Sequence, residues 1–152
     1  MKYTLETIVD APLSEFIEKM DNAENMKHWQ RGLVGYEFVD GDPGEVGSKM
    51  KLKYDDGKRK FELLETVVLR DFPHEFHATY EMTGMYNLQK NYFTETNDGK
   101  TKWVSECQFN SDKIMFKIMM TILPGMFKKQ SRTIMDDLKN FVETGASVQD
   151  ES

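Results

Sequence analysis

At 152 residues, 39% hydrophobic and with a net charge of -6, the chain has the length of one domain and enough apolar side chains for a real core without the composition of a membrane protein. The acid excess excludes a general nucleic-acid binder, because phosphate contacts need a concentration of Lys and Arg that the chain lacks overall. Cys107 is the single cysteine, so no internal disulfide can form.

The opening Met1-Lys2-Tyr3-Thr4-Leu5 has no apolar run of the signal-peptide kind, and the cytoplasm is the expected compartment. Tyr3, Leu5, Thr7 and Val9 then alternate with Thr4, Glu6, Ile8 and Asp10, which predicts a strand with a mostly apolar inner face. Ala11-Pro12 ends it. Proline is tolerated in a first helical turn, where its missing N–H would have no partner, and Phe16, Ile17 and Met20 give the short helix that follows its apolar face. A second short helix is expected over Ala23 to Gln30, anchored by Trp29.

From Leu33 the period returns to two. Gly41-Asp42-Pro43-Gly44, Asp55-Asp56-Gly57 and Asn97-Asp98-Gly99 supply the backbone angles that tight turns require, and they cut the chain into six strands joined largely by hairpins. In Lys49 to Tyr54, Met50, Leu52 and Tyr54 point one way and three lysines the other. Phe61, Leu63, Val67 and Leu69 extend the inner set, with Glu65 in phase. Phe76, Ala78, Tyr80 and Met82 add a strand, and Trp103, Ser105, Cys107 and Phe109 add the last. Lys49, Lys51, Lys53, Lys58, Arg59 and Lys60 make a basic outer ribbon that reads as a solvated face.

Ile114 to Met126 is apolar, but it carries Lys117 and breaks at Pro124-Gly125, short of the roughly 20 residues that span a bilayer. No integral membrane segment is expected; Ile114 to Leu123 is expected instead as a separate piece beside a cavity mouth. From about Gly125 to Val142, Phe127, Ser131, Ile134, Leu138 and Phe141 recur at helical spacing between charged residues, which predicts one amphipathic helix. The result is an α+β domain over 1–144 in which a curved antiparallel sheet wraps a long C-terminal helix, with a polar, disordered tail over 145–152. The space between sheet and helix is the candidate site.

Asp10-Ala11-Pro12 leading into Phe16, Trp29 in the second helix, Gly41 to Gly47 before the third strand, Asp71-Phe72-Pro73 before the fifth, and Leu138 to Glu143 closing the last helix come in a distinctive order. With them the chain resembles the START-like or birch-pollen-allergen-like superfamily with its helix-grip fold, and within it the polyketide cyclase/dehydrase-like (SRPBCC) branch. The resemblance covers nearly the whole chain. It implies seven strands gripping the C-terminal helix and a cavity for a lipid, polyketide-like or other apolar molecule. It does not imply catalysis. The related activators of a heat-shock-protein ATPase share the opening motif but usually close with a Gly-Trp that this chain lacks.

The ligand-binding candidates are Met50, Leu52, Tyr54, Phe61, Leu63, Glu65, Phe76, Tyr80, Trp103, Cys107, Phe109, Phe127 and Ser131. Most are apolar and would select by shape, while Glu65 and Tyr80 are the polar residues able to orient a ligand or act as acid or base. A charged residue such as Glu65 more often ends in water. His28, His74 and His77 fall in no metal-binding cluster, and His77, out of phase with Phe76 and Ala78, is expected to face solvent. Cys107 is expected to behave as a small hydrophobe. No nucleophile elbow, phosphate loop or dinucleotide fingerprint is present, so neither catalytic residue, metal nor cofactor is assigned. The sequence thus favours a binding or carrier protein for a hydrophobic small molecule. The alternatives are a cyclase- or hydrolase-type enzyme acting on such a molecule, which needs at least two polar groups converging deep in the cavity, and a protein-interaction module. No protein partner is identified.

Overall fold

The hairpin turns cut out of the sequence organise one seven-stranded antiparallel sheet in the computed structural model, which describes residues 1–151. Its strands are β1 (Lys2–Val9), β2 (Leu33–Asp40), β3 (Lys49–Asp55), β4 (Lys60–Asp71), β5 (Glu75–Met82), β6 (Met85–Glu95) and β7 (Thr101–Asn110). They lie in the order β1-β7-β6-β5-β4-β3-β2, as consecutive hairpins dictate once β1 adds beside β7. Gly41 shows why a turn residue is specific: its φ is 72°, and a Cβ there would meet the Ser48 Cα at 3.0 Å. The edges are β1 and β2, so the lysines of β3 sit on a paired interior strand and not on an edge. Lys51 lies 3.7 Å from Glu62 and Lys53 3.4 Å from Glu37, across the two neighbouring strands.

The sheet needs a cover for its apolar face, and the helices supply it. Between β1 and β2 come α1 (Leu13–Met20), a 3-10 turn (Ala23–Asn25) and α2 (Met26–Trp29), so the single second helix expected over Ala23 to Gln30 is divided. After β7 come α3 (Ile114–Ile122) and the long α4 (Pro124–Thr144), with Pro124 in the first turn of α4. No helix among the described residues is long and apolar enough to cross a membrane.

Two apolar clusters form the core. One joins Leu5, Val9, Phe16, Phe93, Trp103, Met135, Leu138 and Val142; the other joins Met26, Leu33, Met50 and Leu52, and Trp29 packs against both. The most deeply buried apolar residues of α4 are Met135, Leu138 and Val142, an i, i+3, i+7 set; of the expected stripe Leu138 is among them, Phe127 and Ile134 line the space between α4 and the sheet, and Phe141 packs against the first cluster. Phe141 also stacks on His28 at 5.2 Å, and Phe127 packs on Phe109 at 5.1 Å. Arg31, just before β2, clamps both carboxylate oxygens of buried Asp137 at 2.8 and 3.0 Å, fixing α4 across the sheet. Gly145 (φ 77°) closes α4. In the segment expected as a tail, Ser147 bonds His28 at 2.9 Å and Val148–Glu151 form a 3-10 turn; its last residue, Ser152, lies outside the described residues.

A β-bulge corrects one part of the sequence reading. The β4–β5 register shifts between Val67 and Leu69, so Leu69 pairs with His77 and Arg70 with Phe76. Directly paired residues share a face, and Phe76 faces the helices, so Leu69 moves to the outer face and Arg70 takes the inner one. His77 is on the outer face as its phase requires, yet it is buried rather than solvated, with the Tyr92 ring 5.2 Å away in edge contact. Burial pushes its pKa down, and its Nε2 is buried without a hydrogen-bond partner.

Candidate functional site

Strand pairing carries the inner residues into rows that cross the sheet. One row runs Phe38, Met50, Glu65, Tyr80, Asn87, Phe109 from β2 to β7. The next inner row holds Val67, Ala78, Gln89, Cys107 and Tyr3, and the one after it Arg70, Phe76, Asn91, Ser105 and Leu5. These rows floor a cavity of about 500 Å³, roofed by Ile134, Met135 and Leu138 of α4 and closed at one side by Phe116 and Met119 of α3.

Of the thirteen ligand-binding candidates, Met50, Tyr54, Phe61, Leu63, Glu65, Phe76, Tyr80, Trp103, Cys107, Phe109, Phe127 and Ser131 all line this cavity. Leu52 does not line it. It is 1% exposed, packed within the second core cluster.

The polar groups are more numerous than an apolar container needs. Glu65 retains some accessible surface, but it belongs to the cavity wall, and burial pushes its carboxyl pKa up despite a hydrogen bond with Tyr80 that acts the other way. Tyr80 is raised well above its ordinary value by the same burial, reinforced by the charge and hydrogen bond of Glu65. The common outcome of a strand-end glutamate in water is not what this chain adopts. Tyr54 is likewise raised by burial and donates its hydroxyl to Gln30.

Other polar residues are already committed. Asn91 donates to the Phe76 carbonyl at 3.2 Å and accepts from Trp103 Nε1 at 2.9 Å, so it holds the wall together. Tyr3 donates to the Phe127 carbonyl at 3.1 Å and lies 2.5 Å from Ser131 Oγ, tying β1 to α4. Cys107 has its pKa raised by burial and lies 3.7 Å from Ser105 Oγ, as an unreactive inward thiol should. Arg70 is held by Asp21 through two bonds of 2.9 and 2.7 Å.

Two buried polar atoms in the wall have no partner: Asn87 Oδ1 and Trp29 Nε1. One is an acceptor and the other a donor. Asn87 also continues the Glu65–Tyr80 row, so three polar side chains converge on one band of the floor.

The sequence reading counted β6 among its six strands but named none of its residues as inner. There Asn87, Gln89 and Asn91 face inward while Tyr86, Leu88, Lys90 and Tyr92 face out, the inverse of the usual amphipathic strand. The period of two was visible; what fixes its phase is Phe93, fully buried opposite Trp103. Counting back from Phe93 in steps of two would have placed all three amides inside.

Solved structures of similar shape place the fold. The chain matches Ara h 8.0201 with a TM-score of 0.71 at 14% identity, over 93% of this chain and 97% of that one. It matches TTHA0849 from Thermus thermophilus (0.75, 12%, over 97% and 100%). It also matches a protein of unknown function, SA2116, from Staphylococcus aureus (0.78, 11%, over 95% and 94%). No family model and no curated protein matches the sequence. The chain therefore has the helix-grip fold of birch-pollen-allergen-like proteins, as its resemblance implied, at identities that carry shape and not activity.

Proposed function

We propose that the protein binds and carries a small, largely apolar molecule with one polar end in the cavity between the sheet and α4. The observation that carries this reading is the cavity itself: about 500 Å³ is within the range of small-molecule sites, and a mostly apolar wall meets one polar band. Met50, Phe61, Leu63, Phe76, Phe109 and Phe127 offer shape and apolar area, at about 25 cal/mol per Å² buried. Such a wall separates ligands differing by one methylene by only about 1–3 kcal/mol. Glu65, Tyr80 and Asn87 would orient the polar end, with Glu65 in its neutral form able to donate to a ligand carbonyl. A lipid-like or polyketide-like aromatic molecule fits this chemistry. Placement of the chain in the polyketide cyclase/dehydrase-like branch rests on the sequence motifs and is part of the same proposal.

The convergence of Glu65, Tyr80 and Asn87 also favours a second reading, acid–base chemistry on such a molecule, because a carboxyl with a raised pKa is suited to proton transfer. Recovery of the ligand unchanged after incubation separates carriage from turnover.

The test is a binding panel of fatty acids, flavonoids and polycyclic dyes, with native mass spectrometry of freshly purified protein. Trp29 and Trp103 both line the cavity, so their fluorescence reports occupancy directly. The carrier reading expects several panel members to bind and Phe61→Asp to weaken them at least tenfold. An empty panel, or a variant that binds as well as the parent, would overturn it in favour of an interaction module.

A further inference from the structure

Helix α3 is placed against the cavity by one face and by the other is left bare. Phe116 and Met119 reach the cavity wall, but no residue of α3 is buried. Ile114, Ile118 and Ile122, at i, i+4 and i+8, form an outward stripe with Met115 beside it, and Leu123 continues it to the elbow, next to Met126, which is exposed but also borders the cavity. These six are between 45 and 76% exposed. An apolar stripe this continuous is uncommon on a free surface.

The charge around the stripe is equally uneven. Between Asp112 and Asp136 the chain carries Lys113, Lys117, Lys128, Lys129 and Arg132 and no carboxylate, in a protein whose net charge is -6. None of the four lysines forms an ion pair among the described residues. On β3, by contrast, Lys51 and Lys53 are matched by Glu62 and Glu37 on the adjoining strands, and Lys49 donates to Thr66. Four lysines without an ion pair among the described residues thus accompany the exposed apolar side chains, with no carboxylate between them.

We propose that α3 and the α3–α4 elbow form a docking surface for an anionic lipid bilayer. The isoleucine stripe would enter the boundary between headgroups and acyl chains, and the lysines would lie among the phosphates, the arrangement by which an amphipathic helix rests in an interface without crossing it. A second copy of the chain fits less well, since a two-fold contact through this face would set its cations against themselves. Docking also sets the α3 wall of the cavity at the membrane, so an apolar ligand could pass between bilayer and cavity without crossing bulk water. The docking itself requires no ligand.

Flotation with phosphatidylcholine vesicles, with and without about 30 mol% phosphatidylglycerol, tests the proposal, using the full chain. The parent should float with the anionic vesicles only and be released by high salt. Ile118→Asn/Ile122→Asn should abolish flotation. Lys117→Gln/Lys128→Gln/Lys129→Gln should weaken it more than a hundredfold, at about fivefold per charge; Lys113 is spared because its stem packs over Gly84. Both variants alter exposed positions and should keep the parent's unfolding midpoint. No flotation of the parent, equal flotation of the lysine variant, or a parent dimer in solution that the isoleucine variant dissociates would each overturn the proposal, the last by assigning the face to a second copy. Vesicle binding without any panel ligand would leave this inference standing and the carrier reading refuted.

Discussion

Leu138→Ala tests the grip of sheet on helix and the continuity of core and cavity in one substitution. Leu138 is fully buried in the first apolar cluster and also touches the cavity. Removing three carbons forfeits about 2 kcal/mol of transfer free energy at ~0.8 kcal/mol per methylene. Were the vacated space, about 80 Å³, wholly enclosed, ~24 cal/mol per Å³ would add about 2 kcal/mol more. Because one side of Leu138 already borders the cavity, part of that space merges with it, and the expected loss is about 2–4 kcal/mol. At about 2–4 °C per kcal/mol for a chain of this size, the melting midpoint should fall by roughly 5–15 °C. Urea denaturation with an unchanged m-value gives the energy, and the fluorescence panel gives the second readout: a ligand one or two methylenes longer should gain relative to its parent. A loss below about 0.5 kcal/mol would mean that α4 does not pack as described.

Glu65→Gln bears on the buried carboxyl. Because folding raises its pKa above the ordinary 4.5, the folded state holds more protons than the unfolded one above that pH, so stability is fullest below 4.5 and declines as pH rises through the folded value. The variant should lose this decline and gain stability relative to the parent at neutral pH; parallel melting profiles from pH 4 to 8 would refute the burial. Asp137→Asn removes the carboxylate that Arg31 clamps, and the half-exposed guanidinium limits the expected cost to about 1–2 kcal/mol in urea denaturation, below the 3–5 of a fully buried pair. A neutral result would assign α4 docking to apolar contact alone.

Much of the fold was legible because turn chemistry and period-two alternation are local signals. The hairpins at Asp55-Asp56-Gly57 and Asn97-Asp98-Gly99 fall between consecutive strands as expected, and Met50, Tyr54, Phe61 and Tyr80 line one cavity as their phases required. The failures have equally local causes. The bulge after Val67 inserts one residue, which no alternation rule foresees, and it exchanged Leu69 for Arg70 on the inner face. His77 is buried on the outer face because a neighbouring ring covers it, a tertiary effect absent from the phase of its own strand. β6 was obscured for a different reason: its polar residues face in, so the inside-apolar rule points the wrong way where the cavity needs hydrogen-bonding groups.

The contrast between the two last helices ties these observations together. α4 is fixed at several points: Arg31 holds Asp137, Glu143 accepts from the Asp10 amide at 2.8 Å, and Leu138 and Val142 are sealed in the core. Among the described residues α3 has no comparable anchor beyond its own backbone turns, the Ser111 bond at its start, the Lys113 stem over Gly84 and the contact of Phe116 and Met119 with the cavity. Local opening free energy follows buried contact, so α3, with no buried residue, should be displaced at lower cost than α4. The sheet and α4 would therefore keep the Glu65–Tyr80–Asn87 band in fixed geometry were the wall beside Phe116 and Met119 displaced. On the carrier reading proposed above, a cavity gripped firmly on one side and loosely on the other would separate recognition from access: the residues that would orient a ligand would stay in place during its entry, and entry would pass the helix whose outer face is apolar and basic.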